Sequence, residues 1–152
     1  IGELFEGHDD HVIFTSLPGA GKTLGPRLLA LLGDRRERFD SAQEVQRVSG
    51  IAPVTRASGK TQTVHCRWAC PRFVRQSAHE FAAMSVRHCA WAGAYYRMRR
   101  DKGALHHAAV RSLAYKWLRI LYRCWKDGEP YDDARYMASL RANNAPLLGY
   151  LE

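Results

Sequence analysis

The stretch Ser16-Leu17-Pro18-Gly19-Ala20-Gly21-Lys22-Thr23-Leu24-Gly25-Pro26-Arg27 has two incompatible readings. As a Walker A loop, its backbone N–H groups wrap nucleotide phosphates, Lys22 reaches the outer phosphates and Thr23 holds magnesium. As a helix-hairpin-helix, Leu17-Pro18-Gly19-Ala20-Gly21 is the tight turn and 24–32 the second helix, with Gly25 the small residue that lets two helices approach. The free N–H groups of that turn, beside a helix N-terminus, then hold one phosphate of a nucleic acid backbone. The first fold requires a parallel sheet, whereas the second requires only helices.

Residues on either side favour the hairpin. The first glycine of a Walker motif would stand where this chain has Ser16, and no apolar run ending in Asp supplies a second magnesium carboxylate. The preceding Val12-Ile13-Phe14 is ambiguous between a helix end and a short strand, which keeps a nucleotide hydrolase as the third alternative. Downstream, the pattern is helical. Leu24, Leu28, Leu29, Leu31 and Leu32 form an apolar face that Gly33-Asp34 ends, and Ser41 with Glu44 three residues later marks a helix start, with Val45 and Val48 facing inward. Thr61 to His65 alternates weakly as a strand or hairpin arm. From Pro71 a helix runs through Phe73, Val74, Phe81, Met84 and Val86 and is expected to continue past Trp91 to Asp101-Lys102-Gly103. In the last long helix Val110, Leu113, Ala114, Trp117, Leu118, Leu121 and Trp125 share one face, opposite Lys116, Arg119, Arg123 and Lys126. The expected fold is mainly α, with an N-terminal helix-hairpin-helix and a short irregular or β element around a Ser-Gly loop.

At 152 residues the chain is long enough to bury a core. Its formal net charge of +8 is unevenly spread. Residues 1–52 carry 6 Lys+Arg against 8 Asp+Glu, 53–126 carry 15 against 2, and 127–152 carry 2 against 5. A middle segment of net +13 repels itself unless a polyanion covers it, and nucleic acid is the usual one; a basic face merely solvated is the plainer alternative. No run is long enough for a membrane span, and the start lacks both a basic leader and an initiator Met, so a fragment of a longer chain is expected. The four cysteines read as reduced thiols, which points to a cytoplasmic location rather than secretion.

Two further clusters invite chemistry. In Ile51-Ala52-Pro53-Val54-Thr55-Arg56-Ala57-Ser58-Gly59-Lys60, a serine followed by glycine sits on pliable backbone, with Arg56 and Lys60 placed to bring a phosphodiester to its hydroxyl. Such cations neutralise a pentavalent phosphorus, although a Ser-Gly in a basic loop is also an ordinary turn. His65, Cys66 and Cys70 suggest zinc, but without a Cys-x-x-Cys pair the cysteines read better as small apolar residues. No metal site is therefore assigned.

The succession of segments is more specific than any one of them. Leu17-Pro18-Gly19-Ala20-Gly21, Gly33-Asp34, Arg38-Phe39-Asp40-Ser41-Ala42, Ser49-Gly50-Ile51-Ala52-Pro53 and Ala57-Ser58-Gly59-Lys60 follow one another. Then come His65-Cys66-Arg67-Trp68-Ala69-Cys70-Pro71, Trp91-Ala92-Gly93-Ala94-Tyr95-Tyr96, Lys102-Gly103 and 109–120. In this order, from about Leu17 to Tyr136, the chain resembles the C-terminal transposase domain of the insertion sequence 110 family. The resemblance implies a DNA recombinase guided by a structured bridge RNA, homo-oligomeric at full length and acting in a bacterial cytoplasm. It further implies a RuvC-like domain with four acidic residues that hold Mg2+, which these 152 residues do not contain, so the domain is expected to be inactive alone. By motif the family's catalytic serine falls on Ser58. The expected nucleic-acid contacts are Gly19, Gly21, Lys22, Arg56, Gly59 and Lys60, with Arg67, Arg72 and Arg75 as further candidates. The expected layout is 1–16 as the end of a connector, 17–126 as the transposase domain and 127–152 as an acidic tail. A non-catalytic nucleic-acid-binding module is the alternative.

Overall fold

Ser41 accepts a hydrogen bond from the Glu44 amide at 3.3 Å, and the Glu44 carboxylate accepts one from the Asp40 amide at 2.8 Å, so both partners satisfy amides that a helix start leaves free. Capping of this kind and the apolar periodicity build a mainly α-helical fold. The computed structural model describes residues 2–151. In chain order the elements are α1 (Gly2–Glu6), α2 (His11–Thr15), α3 (Gly21–Leu32), a 3-10 turn (Arg36–Arg38), α4 (Ala42–Val48), strands β1 (Val54–Ser58) and β2 (Thr61–His65), α5 (Arg72–His88), α6 (Ala90–Asp101), α7 (His106–Asp127), α8 (Asp133–Ala142) and a second 3-10 turn (Pro146–Tyr150).

The centre is α7. Its stripe Val110, Leu113, Ala114, Trp117, Leu118, Leu121 and Trp125 is buried as the periodicity predicts, against α4, α5 and α6. Three indoles fill this core, and each N–H has an acceptor: Trp91 reaches the Tyr131 hydroxyl at 2.7 Å, Trp117 the Ser85 hydroxyl at 2.7 Å and Trp125 the Gly33 carbonyl at 2.9 Å. Burying such rings with their polar edge satisfied gives large apolar burial without an unpaired donor. The opposite, basic stripe of α7 is only partly solvated. Lys116 lies over the Tyr95 ring at 5.2 Å, and burial holds its ammonium below the usual lysine range, while Lys126 donates to the Arg36 carbonyl at 2.7 Å.

Several expectations are revised. The segment 12–14 is helical, and the strands among the described residues are the antiparallel pair β1–β2 alone, so the strand that a Walker loop follows is not there. Residues 1–16, expected as a connector, supply Phe5, Ile13 and Phe14 to the core, and α2 is the first helix of the hairpin. The helix from Pro71 does not run on to Asp101, because Cys89 adopts an extended backbone (φ −140°, ψ 120°) that separates α5 from α6. Val48 is 44% exposed rather than inward-facing, since α4 ends there. The acidic tail is folded onto the domain through Tyr131, Tyr136, Leu140 and Leu147, and Arg97 donates to the Tyr150 carbonyl at 2.7 Å.

Candidate nucleic-acid interface

The turn between α2 and α3 opens the N-terminus of α3. Ala20 occupies the cap position with helical backbone angles and offers no side-chain acceptor. The amides of Gly21, Lys22 and Thr23 have no acceptor among the described residues, and nothing lies within 4 Å of where a Cβ on Gly21 would be. Three free N–H groups and the positive end of a helix dipole thus face outward together. Ser16, which breaks the Walker pattern, is used inside the fold: its hydroxyl donates to the Ile13 carbonyl at 2.5 Å and accepts from the Tyr131 amide at 2.8 Å. Gly25 does permit a close approach, but by α1: a Cβ there would meet the Phe5 ring at 3.0 Å.

This turn forms one wall of an open groove of about 890 Å3 whose other wall is α5, with α6 and α7 behind. Glu80, Ala83, Met84 and Arg87 line it at the i, i+3, i+4, i+7 spacing of one helix face, joined by Tyr96 and His106, whose hydroxyl and Nδ1 are 2.8 Å apart. Neither Arg87 nor His106 is among the nucleic-acid contacts expected from the sequence. The spacing of 80, 83, 84 and 87 was a visible signal, but only the packing of α3 on α5 turns that face toward the hairpin. Arg27 secures the packing by an ion pair to Glu80 at 2.6 Å and a hydrogen bond to Ser77 at 3.1 Å.

The second cluster stands on a projecting ribbon. β1 and β2 pair from Val54↔His65 to Ser58↔Thr61, and every residue of the two strands is exposed except the half-buried Val54. Gly59 (φ +58°) and Lys60 form the two-residue turn, and positive φ at the first loop residue alone is the II′ pattern that suits the twist of a hairpin. Strand alternation places Arg56 and Ser58 on one face, together with Thr61, Thr63 and His65. His65 touches the Thr63 hydroxyl at 3.0 Å. It pairs with Val54, four rungs from Ser58, which is roughly 13 Å along the ribbon. No imidazole or carboxylate of this ribbon is therefore at hand to take the Ser58 proton. The donors around Ser58 are hydroxyls, a guanidinium and an ammonium, a set that does not fit a divalent cation. Among the described residues no three His, Cys, Asp or Glu side chains gather as a metal site.

The candidate cations divide into two groups. Lys22, Arg56, Lys60 and Arg72 are exposed, and their side chains make no hydrogen bond or ion pair among the described residues. Arg67 and Arg75 are half-buried and tie down the foot of the ribbon: Arg67 Nε donates to the Ala52 carbonyl at 3.4 Å, and Arg75 donates to the Arg67 carbonyl at 3.1 Å. Cys70 packs against Gly50 as a small apolar group.

Residues 11–97 match the transposase family described as IS116/IS110/IS902. A protein of Streptomyces coelicolor designated as the transposase of the IS117 mini-circle is 35% identical over 140 residues, which cover 92% of this chain and 34% of that protein. A 42 kDa protein of insertion element IS900 from Mycobacterium paratuberculosis is 31% identical over 140 residues, 91% of this chain and 35% of its own length. A 44.8 kDa protein of insertion element IS116 from Streptomyces clavuligerus is 30% identical over 128 residues, 84% of this chain and 32% of its own. The chain spans about a third of the length of these relatives.

Proposed function

Since this chain belongs to the IS116/IS110/IS902 transposase family, we propose that it is the part of a transposase that holds DNA and presents Ser58 as the nucleophile of strand exchange. The observation that carries this reading is the position of Ser58, exposed at the tip of a cationic ribbon, on the same face as Arg56 and beside Lys60. A scissile phosphate at that tip meets two cations and the Ser58 hydroxyl, with Thr61 paired opposite. Ser58 Oγ attacks phosphorus, an O–P bond forms, the P–O bond to one sugar oxygen breaks, and the strand end is retained as a phosphoserine ester. The Ser58 proton needs a base and the departing sugar oxygen needs a proton donor. Both are assigned to groups outside these 152 residues, as is Mg2+, because the ribbon carries no carboxylate.

The hairpin is the second DNA contact: the amides of Gly21, Lys22 and Thr23 hold a phosphate oxygen, and Lys22 adds charge. A structured guide RNA, a homo-oligomer of the longer protein and a bacterial cytoplasmic location, associated with DNA, complete the proposal. Among the described residues no helix is long and apolar enough to cross a membrane. The absence of a base near Ser58 favours a second reading for the chain by itself, a module that binds DNA without cutting it.

One substitution separates the two readings. In the longer transposase, Ser58→Ala should abolish the covalent protein–DNA adduct and recombination while leaving DNA affinity unchanged, because the side chain is exposed and makes no hydrogen bond among the described residues. Undiminished recombination would remove the nucleophile role and leave the binding module. Lys22→Ala should weaken DNA binding without creating or abolishing any nucleotide hydrolysis.

A further inference from the structure

Of the four tryptophans, Trp91, Trp117 and Trp125 are at most 1% exposed, whereas Trp68 is 81% exposed. It lies just beyond the foot of the ribbon, and one face of its ring is backed by the Arg75 guanidinium, 5.9 Å from the ring centroid. Arg75 is fixed by its bond to the Arg67 carbonyl, so the indole has a preset support on one side and open solvent on the other. Phe73 repeats the arrangement at 50% exposure: the Arg27 guanidinium lies 5.1 Å from its centroid and is itself held by Glu80 and Ser77. An exposed indole forgoes the large gain of burial.

We infer that Trp68, supported by Arg75, is a stacking platform for an unpaired base of a DNA strand. This rests on the DNA reading above. Charge selects the occupant: in sequence Trp68 stands between Arg67 and Arg72 in a segment of net +13, and Arg72 is exposed with no hydrogen bond or ion pair among the described residues, so an apolar protein partner would bury an unmatched cation, whereas a stacked nucleotide brings its own phosphate to it. Geometry selects the unpaired state. In a duplex each base face is already stacked on its neighbour, and only a displaced or splayed strand offers a free face to an indole. Trp68 lies beyond the ribbon end opposite Ser58, so it holds a base several nucleotides from the phosphate at the ribbon tip and keeps the strand from closing back into a duplex.

Trp68 supplies the long-wavelength, solvent-exposed part of the emission, since the other three indoles are buried. The chain is titrated with single-stranded oligothymidylate, while anisotropy of a labelled copy of the same oligonucleotide follows binding independently. Quenching of the solvent-exposed emission is expected to track the anisotropy. Trp68→Ala should remove that quenching and weaken single-strand binding by roughly tenfold or more, with duplex affinity changed by less than about twofold. Trp68→Phe should retain most of the affinity, and both variants should melt cooperatively, since the side chain is outside the core. A rise in anisotropy with no change in Trp68 emission, or equal weakening for duplex and single strand, overturns the platform and leaves DNA binding standing. Tighter binding and stronger quenching with oligouridylate would overturn the assignment to DNA. No rise in anisotropy with any DNA overturns both the platform and the DNA reading.

Discussion

Asp10 and Arg36 hold each other through two hydrogen bonds, Arg36 Nη1 donating to Oδ2 at 2.8 Å and Nη2 to Oδ1 at 2.5 Å, and the same guanidinium lies 4.9 Å from the centroid of the Trp125 ring. The pair ties the start of α2, and so the hairpin between α2 and α3, to the loop after α3 and to the core indole of α7. The hydrogen bonds from Arg36 hold the Asp10 carboxyl below the usual carboxylate range, against a smaller opposing effect of burial. A lowered folded pKa means that the unfolded chain binds the proton more readily. The contribution of this pair is therefore complete above about pH 5 and is lost as the pH falls through the folded pKa. Asp10→Ala should cost about 2 kcal/mol at pH 7, since it leaves the partly buried guanidinium unpaired, and the gap from wild type should narrow toward pH 3. Urea unfolding at the two pH values measures both. An equal deficit at pH 3 and pH 7 would show that the carboxylate charge is not what stabilises the hairpin.

Gly50 permits the close approach that seats the ribbon foot. Its φ is +72°, and a Cβ on it would collide with the Cys70 sulfur and lie 2.8 Å from Cys70 Cβ. Gly50→Ala combines backbone strain with overlap and should destabilise by about 2–3 kcal/mol. Adding Cys70→Ala removes the sulfur but not Cβ, so the double variant should recover only part of the loss. A thermal or urea double-mutant cycle reads the coupling, and strictly additive effects would contradict the contact.

The four thiols should separate into two pairs. Burial pushes the Cys89 and Cys124 thiols up to about 11, helped by nearby carboxylates, Asp133 for Cys89 and Asp127 for Cys124. Little thiolate exists there at pH 8, and the thiolate is the reactive form. Alkylation of the native chain at pH 8 should modify Cys66 and Cys70 first, with Cys89 and Cys124 reacting at comparable rates only in denaturant. Mass spectrometry of partially alkylated protein decides this, and early modification of Cys89 would mean that α5 and α6 open readily at their junction.

Legibility of the fold followed the length of each pattern. The seven-residue stripe on α7 repeats over more than four turns and could be read with its partners in the core, whereas the break at Cys89 has neither Gly nor Pro to announce it and is set by how α6 folds back on α5. The segment 12–14 is too short for its periodicity to separate strand from helix. In the candidate site, the hairpin and the Ser58 ribbon were visible because each lies within one local stretch. The groove was not, since its walls come from the hairpin, α5, α6 and α7. Residue type alone also could not tell a cation held by a carbonyl, such as Arg75, from one open to solvent, such as Arg72.

That last distinction predicts different behaviour for two arginines three residues apart. Arg72 is exposed and makes no hydrogen bond or ion pair among the described residues, so Arg72→Ala should leave the melting temperature unchanged, weaken DNA binding uniformly across sequences and reduce the slope of log K against log salt by about 1. Arg75 is bonded to the Arg67 carbonyl and lies over the Trp68 ring, so Arg75→Ala should destabilise the chain by about 1 kcal/mol and loosen the ribbon foot. Because the Arg75 charge is already engaged, its salt slope should change less than that of Arg72→Ala. Binding isotherms between 50 and 200 mM salt, a window of the order in which phosphate contacts dominate, together with thermal melts, place both variants on the same two axes. Arg72→Ala melting lower than Arg75→Ala, or an unchanged slope for Arg72→Ala, would refute this division of the basic segment into cations that build the fold and cations that meet phosphate.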